Sequence, residues 1–480
     1  MNICLVRPPV GINSVIHPLN IGYISAAIRE KWDNVAFVDG ELFALRYEKR
    51  FGKSSWKKPE VHTFWNAMAD EVLKNSPDVI AFSCYTVSMT SSYRICMTLL
   101  NRGFNGYFIL GGIHPTIQPE ETLRNFHEIK PIIVIGEGER TIVHLLERLK
   151  SRKPLSEIPG IAYYHDGKIR INSPQTLIEN LDDLPLPDRY WGKQKYIDHI
   201  VLTSRGCPFH CAFCNSKHIW TKKVRYRSPE HVLKELLAIK NLGLHFVRIG
   251  DDTFTLNRKH VLNISSAIQK AGLQKHLSFS VGSRIDIIDE EKLFYLKSMG
   301  VVNISFGVES GSSRQQKLLK KNLDLSKVVE KVKLVNDRGI SSHTFFILGL
   351  PEETKQDLDE TFSLIIHLMK KAPSNAIAIN LARPYPGTEW WEYATKKLGN
   401  FFDLYKDGFR YHHHNLDLTA KINLTTMTSE ELLSIISKIE KKISKFNQVA
   451  KMRKLFIYFR KTPILILERL INFLKKHWLS

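Results

Sequence analysis

Short apolar runs alternate with amphipathic helical stretches along most of this 480-residue chain, in two separate series. That alternation constrains the fold more than any other feature, because strands joined through helices pair in parallel and are buried on both faces. In the first series, residues 3–6, 35–38, 79–83, 108–110 and 132–135 read as strands, and 19–29, 65–73, 92–100 and 139–149 as the helices among them. The spacing predicts a Rossmann-like, doubly wound parallel sheet over residues 1–150.

Residues 151–195 break the rhythm. A small hairpin is expected over 163–171, around Asp166-Gly167, followed by the proline-rich connector Leu184-Pro185-Leu186-Pro187-Asp188. A second series then spans 196–400. Its strands are expected at 200–203, 246–249, 277–281, 302–306, 344–348 and 376–381, with helices at 229–241, 258–271, 289–299, 324–338 and 354–371. Six such units fit either a barrel-like (β/α) arrangement or a second open sheet. Asp251, Arg284, Glu309 and Glu352 each follow a strand, and in parallel α/β folds ligands bind at the carboxyl ends of the strands. Residues 401–480 read as a basic helical region.

A composition of 43% hydrophobic and 24% charged residues excludes wholesale disorder and fibrous architectures. No apolar run is long enough to span a membrane and no secretory signal is visible, so a cytoplasmic protein is expected. The net charge is +21, but residues 438–480 carry twelve basic residues against two acidic ones, about half of the excess. A uniformly basic surface would suggest nucleic acid; a basic tail points instead to a local electrostatic contact, for which charge alone does not choose among a membrane surface, a partner protein and RNA. Leu467, Leu470, Ile471, Leu474 and Trp478 fall on one face of an expected helix behind Pro463, which suits a peripheral membrane contact or a cap packed on the barrel. The run His412-His413-His414 lacks metal-ligand spacing and reads as a solvated loop.

Three of the six cysteines crowd into eight positions, in Arg205-Gly206-Cys207-Pro208-Phe209-His210-Cys211-Ala212-Phe213-Cys214. The C-x3-C-x2-C spacing lies in a loop just after a strand, where Gly206 and Pro208 oppose helix and let backbone wrap a small object. Three thiolates suit a metal centre with one coordination position left open. A structural zinc site, with His210 or His218 as fourth ligand, is the alternative. Cys4, Cys84 and Cys96 are scattered and read as small buried hydrophobes.

The cysteine spacing, with aromatic Phe213 before the last cysteine, resembles the signature of radical S-adenosylmethionine enzymes. The resemblance implies that Cys207, Cys211 and Cys214 hold three irons of a 4Fe-4S cluster. The fourth iron would bind S-adenosylmethionine, whose reductive cleavage gives a 5′-deoxyadenosyl radical. It also implies a partial (β/α)6 barrel of TIM type over residues 196–400, in agreement with the six strands. Asp251 or Asp252 would then receive the ligand's amino group and Arg284 its carboxylate, although a surface ion pair is an equal reading for Arg284. Glu309 would meet the ribose hydroxyls. Ile347-Leu348-Gly349-Leu350-Pro351-Glu352 is similar to the adenine-contacting motif, with Phe345 where a glycine is usual. Residues 1–150 resemble a cobalamin-binding module, on Ser83, Gly111-Gly112 and Gly136-Glu137. The Asp-x-His-x-x-Gly motif of that module is not present; Asp39-Gly40-Glu41-Leu42-Phe43 has no histidine, and His114 reads as a hydrogen-bonded turn residue. The implied activity is methylation of an unactivated carbon, with radical oxidation, rearrangement or cyclisation as the alternative. The implied partners are a small-molecule or lipid substrate and an external electron donor of flavodoxin or ferredoxin type. A zinc-stabilised RNA- or membrane-binding protein is the rival from another class.

Overall fold

The structure is a computed structural model that describes residues 1–10, 16–52, 62–189, 191, 196, 198–399 and 416–461. Five parallel strands form the first sheet: β1 (Ile3–Arg7), β2 (Val35–Asp39), β3 (Val79–Ser83), β4 (Tyr107–Gly111) and β5 (Ile132–Val134). They lie in the order β2-β1-β3-β4-β5. Alternation along β1 shows why both faces are covered. Cys4 and Val6 pack with Ile80 and Phe82 among Phe64, Met68, Ile95 and Leu99. Ile3 and Leu5 pack with Val79 and Ala81 among Ile21, Ile28, Leu145 and Leu146 on the other side. The strand order reverses between β1 and β3, where an open sheet of this kind leaves its ligand crevice.

The hairpin expected in the connector is β6 (Ile161–His165) with β7 (Lys168–Ile171), and it belongs to the first sheet instead. β6 pairs antiparallel with β5 through Ile133 and Ala162. It covers an edge that β5 would otherwise leave with unpaired backbone groups. A helix at Gly40–Phe51, which the apolar pattern does not mark, starts where Asp39 Oδ1 accepts the Glu41 and Leu42 amides.

The second sheet holds β8 (His199–Val201) and, after the short antiparallel pair β9 (Ser204–Arg205) and β10 (Arg225–Tyr226), β11 (Phe246–Ile249), β12 (Ser278–Ser283), β13 (Val301–Glu309), β14 (Ser341–Leu348) and β15 (Asn375–Leu381). All six are parallel and lie in strict chain order, the architecture of a partial barrel. Phe279, Val281, Ile304, Phe306, Phe346 and Leu348 are buried in the core beneath the helices. Residues of opposite parity face the lumen: Gly282, Ser305, Gly307, His343, Phe345 and Ala378 are all partly exposed. Closed TIM barrels fill this space with branched side chains; here several of the positions are glycine, serine or alanine.

A 33-residue helix, Ser429–Lys461, closes the far side. Leu432, Ile436, Ile439 and Ile443, at helical spacing, join the barrel core. From the same face Asn447 accepts the Ile377 amide at 2.9 Å and donates to the Ile377 carbonyl at 2.6 Å, capping the outer edge of β15. Among the described residues no helix is long and apolar enough to cross a membrane. The expected amphipathic helix behind Pro463 and the histidine run at 412–414 lie outside the described residues.

Candidate functional site

The cysteine loop begins at Gly206, which has φ 115°, and a Cβ there would stand 2.3 Å from the Lys223 carbonyl oxygen. Only glycine meets both demands. Further on, the Ala212 amide donates to the Leu319 carbonyl at 3.1 Å, and the Ala212 carbonyl accepts the Glu389 amide at 3.1 Å. A turn bond from the Cys214 amide to the Cys211 carbonyl brings the last two cysteines round, and Phe213 packs on Trp390 with centroids 5.4 Å apart. All three sulfurs are partly exposed at the carboxyl end of the barrel. Burial pushes each thiol up, Cys214 to about 11, and the three act on one another electrostatically. Such thiols become ligands only when a metal's positive charge removes their protons.

Other expected residues gather around the trio, with several reassignments. Asp251 does not face a ligand. It is buried and accepts the Thr203 amide at 2.6 Å, the Thr203 hydroxyl at 2.5 Å and the Ser204 hydroxyl at 2.6 Å, so it fastens the strand leading into the loop. Asp252 is exposed, accepts the Ser216 hydroxyl at 2.7 Å, and its charge acts on Cys207 and Cys214. Arg284 pairs with Asp286 at 2.7 Å, lies 4.0 Å from the Phe209 ring centre, and with Lys321 opposes the rise that burial imposes on Cys211. Glu309 takes an unusual φ of 69° and pairs with Lys321 at 2.9 Å. Backbone strain of that kind gathers at functional sites.

Glu352 is exposed with φ 58° and does not line the site. Its neighbour Glu353 is the buried carboxyl; one of its oxygens accepts the Gly349 and Leu350 amides at 2.7 and 3.2 Å. Sequence reading missed Lys321 and Glu353. A carboxylate doublet behind Leu350-Pro351 carries no signal of which member turns inward.

On the facing edge of the first sheet, Gly136 has φ 80° and open space where a Cβ would stand, so a bulky group can approach its backbone. Gly111 is in ordinary contact, whereas a Cβ on Gly112 would strike the Cys84 backbone at 2.6 Å. Packing of the β3 and β4 loops therefore requires that glycine, whatever binds there. Ser83, at the end of β3, accepts from Asn20. His114 is buried beside Thr86, with Nδ1 at 3.1 Å from the hydroxyl, and burial lowers it to about 4. Glu137 is sealed between Arg205 and Arg225, so it serves the joint between the domains and cannot contact a corrinoid directly.

The carboxyl edges of the two sheets meet. Ile117, just beyond β4, lies 2.7 Å from where a Cβ on Gly387 would stand, and Asn215, next to Cys214, donates to the Pro386 carbonyl at 3.0 Å.

Family comparison matches residues 201–365 to the radical SAM superfamily and residues 11–146 to the B12 binding domain. An uncharacterized methyltransferase of Pyrococcus horikoshii, PH0819, is 32% identical over 452 residues, 91% of either chain. The chain belongs to the B12-binding radical SAM enzymes. An anaerobic magnesium-protoporphyrin IX monomethyl ester cyclase of Cereibacter sphaeroides is 26% identical over 62% of this chain and 50% of its own length. The cobalamin- and cluster-bound radical S-adenosylmethionine methyltransferase TsrM of Kitasatospora setae superposes with a TM-score of 0.67 at 16% identity, over 84% of this chain and 76% of that one, a likeness of fold.

The cofactors of such a radical SAM enzyme are a 4Fe-4S cluster, S-adenosylmethionine and cobalamin. The donor set fits the first. A four-iron cluster takes one thiolate per iron, which the three cysteines at the head of the barrel can supply. His210 and His218 are exposed. The open backbone at Gly136, on the edge facing the cysteine loop, fits a corrinoid.

Proposed function

We propose that this enzyme methylates a carbon atom of a polar small-molecule substrate. The observation that carries the reading is the apposition of the two carboxyl edges, which places the B12-domain loops over the cysteine loop and the lumen. Methyl donor, radical source and substrate then share one chamber. The resemblance at 32% identity to a chain named a methyltransferase supports it. When bound, the three cofactors supply an electron, a hydrogen-abstracting radical and a methyl group.

The chain's own residues hold and orient these parts. Cys207, Cys211 and Cys214 carry the cluster. Asp252 is placed to pair with the S-adenosylmethionine ammonium, with Arg284, Glu309 and the Gly349 backbone around the rest of that ligand. Ser305 and His343 among the lumen-facing residues offer hydrogen bonds to a polar substrate, with Phe345 beside them as an apolar wall. The positive net charge suits an acidic electron donor of flavodoxin or ferredoxin type.

Anaerobic reconstitution with candidate substrates tests the reading by product mass. Methylation adds one methyl group and consumes two S-adenosylmethionine molecules per turnover. An oxidised or cyclised product without added carbon would replace this reading with the cyclase one. Alanine at any of the three cysteines should abolish iron loading and nucleotide cleavage.

A further inference from the structure

We propose that the buried ion-pair knot of Glu137, Glu139, Arg205 and Arg225 is a coupling element. It fixes the corrinoid-side loop against the cluster loop, so that each nucleotide cleavage leads to a methyl transfer. The inference rests on the reaction proposed above.

Arg205 reaches both carboxylates, Glu137 at 2.7 Å and Glu139 at 2.6 Å, and Arg225 reaches the other oxygen of Glu137 at 2.8 Å. The Glu137 side chain is 1% exposed and that of Arg225 is 2% exposed. Glu137 also accepts the Ile178 amide at 2.8 Å, and Arg225 donates to the Ile178 carbonyl at 2.6 Å. The Arg205 guanidinium contacts two aromatic rings, 5.0 Å from the Tyr23 centre and 5.2 Å from the Trp220 centre. Two carboxylates balance two guanidinium groups, so the knot is neutral, and within it only Nε and Nη2 of Arg225 are buried without a hydrogen-bond partner.

Its position in the chain gives it a purpose beyond adhesion. Glu137 directly follows Gly136, whose backbone is open to a bulky cofactor, and Arg205 stands two residues before Cys207. The two cofactor loops are thus joined through one carboxylate and one guanidinium. Buried ion pairs hold protein together no better than apolar packing of the same volume, but they are directional. A guanidinium forked across two carboxylates, as Arg205 is across Glu137 and Glu139, tolerates little sliding, and a hydrophobic seam tolerates more. Methyl transfer between groups held on different domains needs that precision, since a displacement of about 1 Å can cost on the order of 100-fold in rate. These four side chains are positioning residues.

The holoenzyme decides the matter, with Glu137→Gln and Arg205→Lys beside a control, Glu235→Gln. Glu235 is also a buried carboxylate between two arginines, Arg189 and Arg227, but it does not touch either cofactor loop. In Glu137→Gln the ratio of 5′-deoxyadenosine to methylated product should rise on the order of 10- to 100-fold, at unchanged iron and corrinoid content. In Glu235→Gln the ratio should stay at the wild-type value. Amide hydrogen exchange of the cofactor-free protein gives a second readout: residues 136–139 and 204–214 should lose protection together in Glu137→Gln and keep it in Glu235→Gln. Should Glu137→Gln fail to fold, Arg205→Lys, which keeps the charge and loses the fork across Glu137 and Glu139, carries both measurements. Parallel loss of both products at a constant ratio overturns the proposal, as does equal loosening in the control. If wild-type enzyme cleaves the nucleotide and methylates nothing, the reaction reading fails alone. The exchange measurement then still decides whether the knot joins the two loops.

Discussion

Replacing Glu353 with glutamine should shift stability in the variant's favour by an amount that grows with pH. Glu353 is fully buried; one carboxyl oxygen accepts the Gly349 and Leu350 amides, and the other has no hydrogen-bond partner. Burial pushes this carboxyl from its ordinary 4.5 up to about 8, against the pull of the two amides. At about 1.4 kcal/mol per pH unit, that gap corresponds to about 5 kcal/mol. The sign follows from which state ionises first. Below pH 4.5 the group is protonated folded or unfolded and makes no pH-dependent difference. As pH rises toward 8 only the unfolded chain ionises, and folding stability falls by roughly 2 kcal/mol at pH 6 and roughly 4 kcal/mol at pH 8. Above that the loss levels off. Glutamine keeps a carbonyl oxygen for the two amides and never ionises. Its NH2 group, left without an acceptor, costs about 1–3 kcal/mol at every pH. Urea unfolding of anaerobically purified wild type and Glu353→Gln between pH 5 and pH 9 reads the difference. A stability difference that does not change across that range would refute the reasoning.

Gly206→Ala should lose iron loading while the B12-binding domain keeps its corrinoid, because a Cβ there collides with the Lys223 carbonyl; iron assay and visible spectra of the reconstituted protein check it. Glu352→Gly should raise the melting temperature or leave it unchanged, since a non-glycine residue at φ 58° is strained and its exposed side chain contributes little; calorimetry decides, with an expected gain of up to about 1 kcal/mol. Asp252→Asn should weaken S-adenosylmethionine binding about tenfold at unchanged iron content, the loss of one charge-assisted contact, as read by equilibrium dialysis.

Much of the scaffold was legible because periodicity reports burial directly. Strand 79–83 and the helices 19–29 and 229–241 fall where the apolar spacing puts them, and the cysteine spacing identified the chemistry. What stayed hidden depends on partners far away in the chain. Nothing near Glu137 shows that it pairs with arginines 68 and 88 positions later. Nor does the doublet Asp251-Asp252 show which carboxylate turns inward to Thr203, 48 residues back. The helix behind Asp39 escaped notice because Asp39-Gly40 also reads as the turn ending a strand. The same dipeptide serves both, and only the amides of Glu41 and Leu42 bonding back to Asp39 distinguish them.

A three-quarter barrel has two raw rims, each able to recruit a neighbouring molecule's backbone. Along one rim of this chain the last helix packs, and among the described residues its Asn447 carboxamide occupies the donor and acceptor of Ile377 as a further strand would, without offering a new rim of its own. Solubility at that border hence depends on a side chain some 70 residues downstream of the strand it shields, and a chain shortened ahead of it would be prone to self-association.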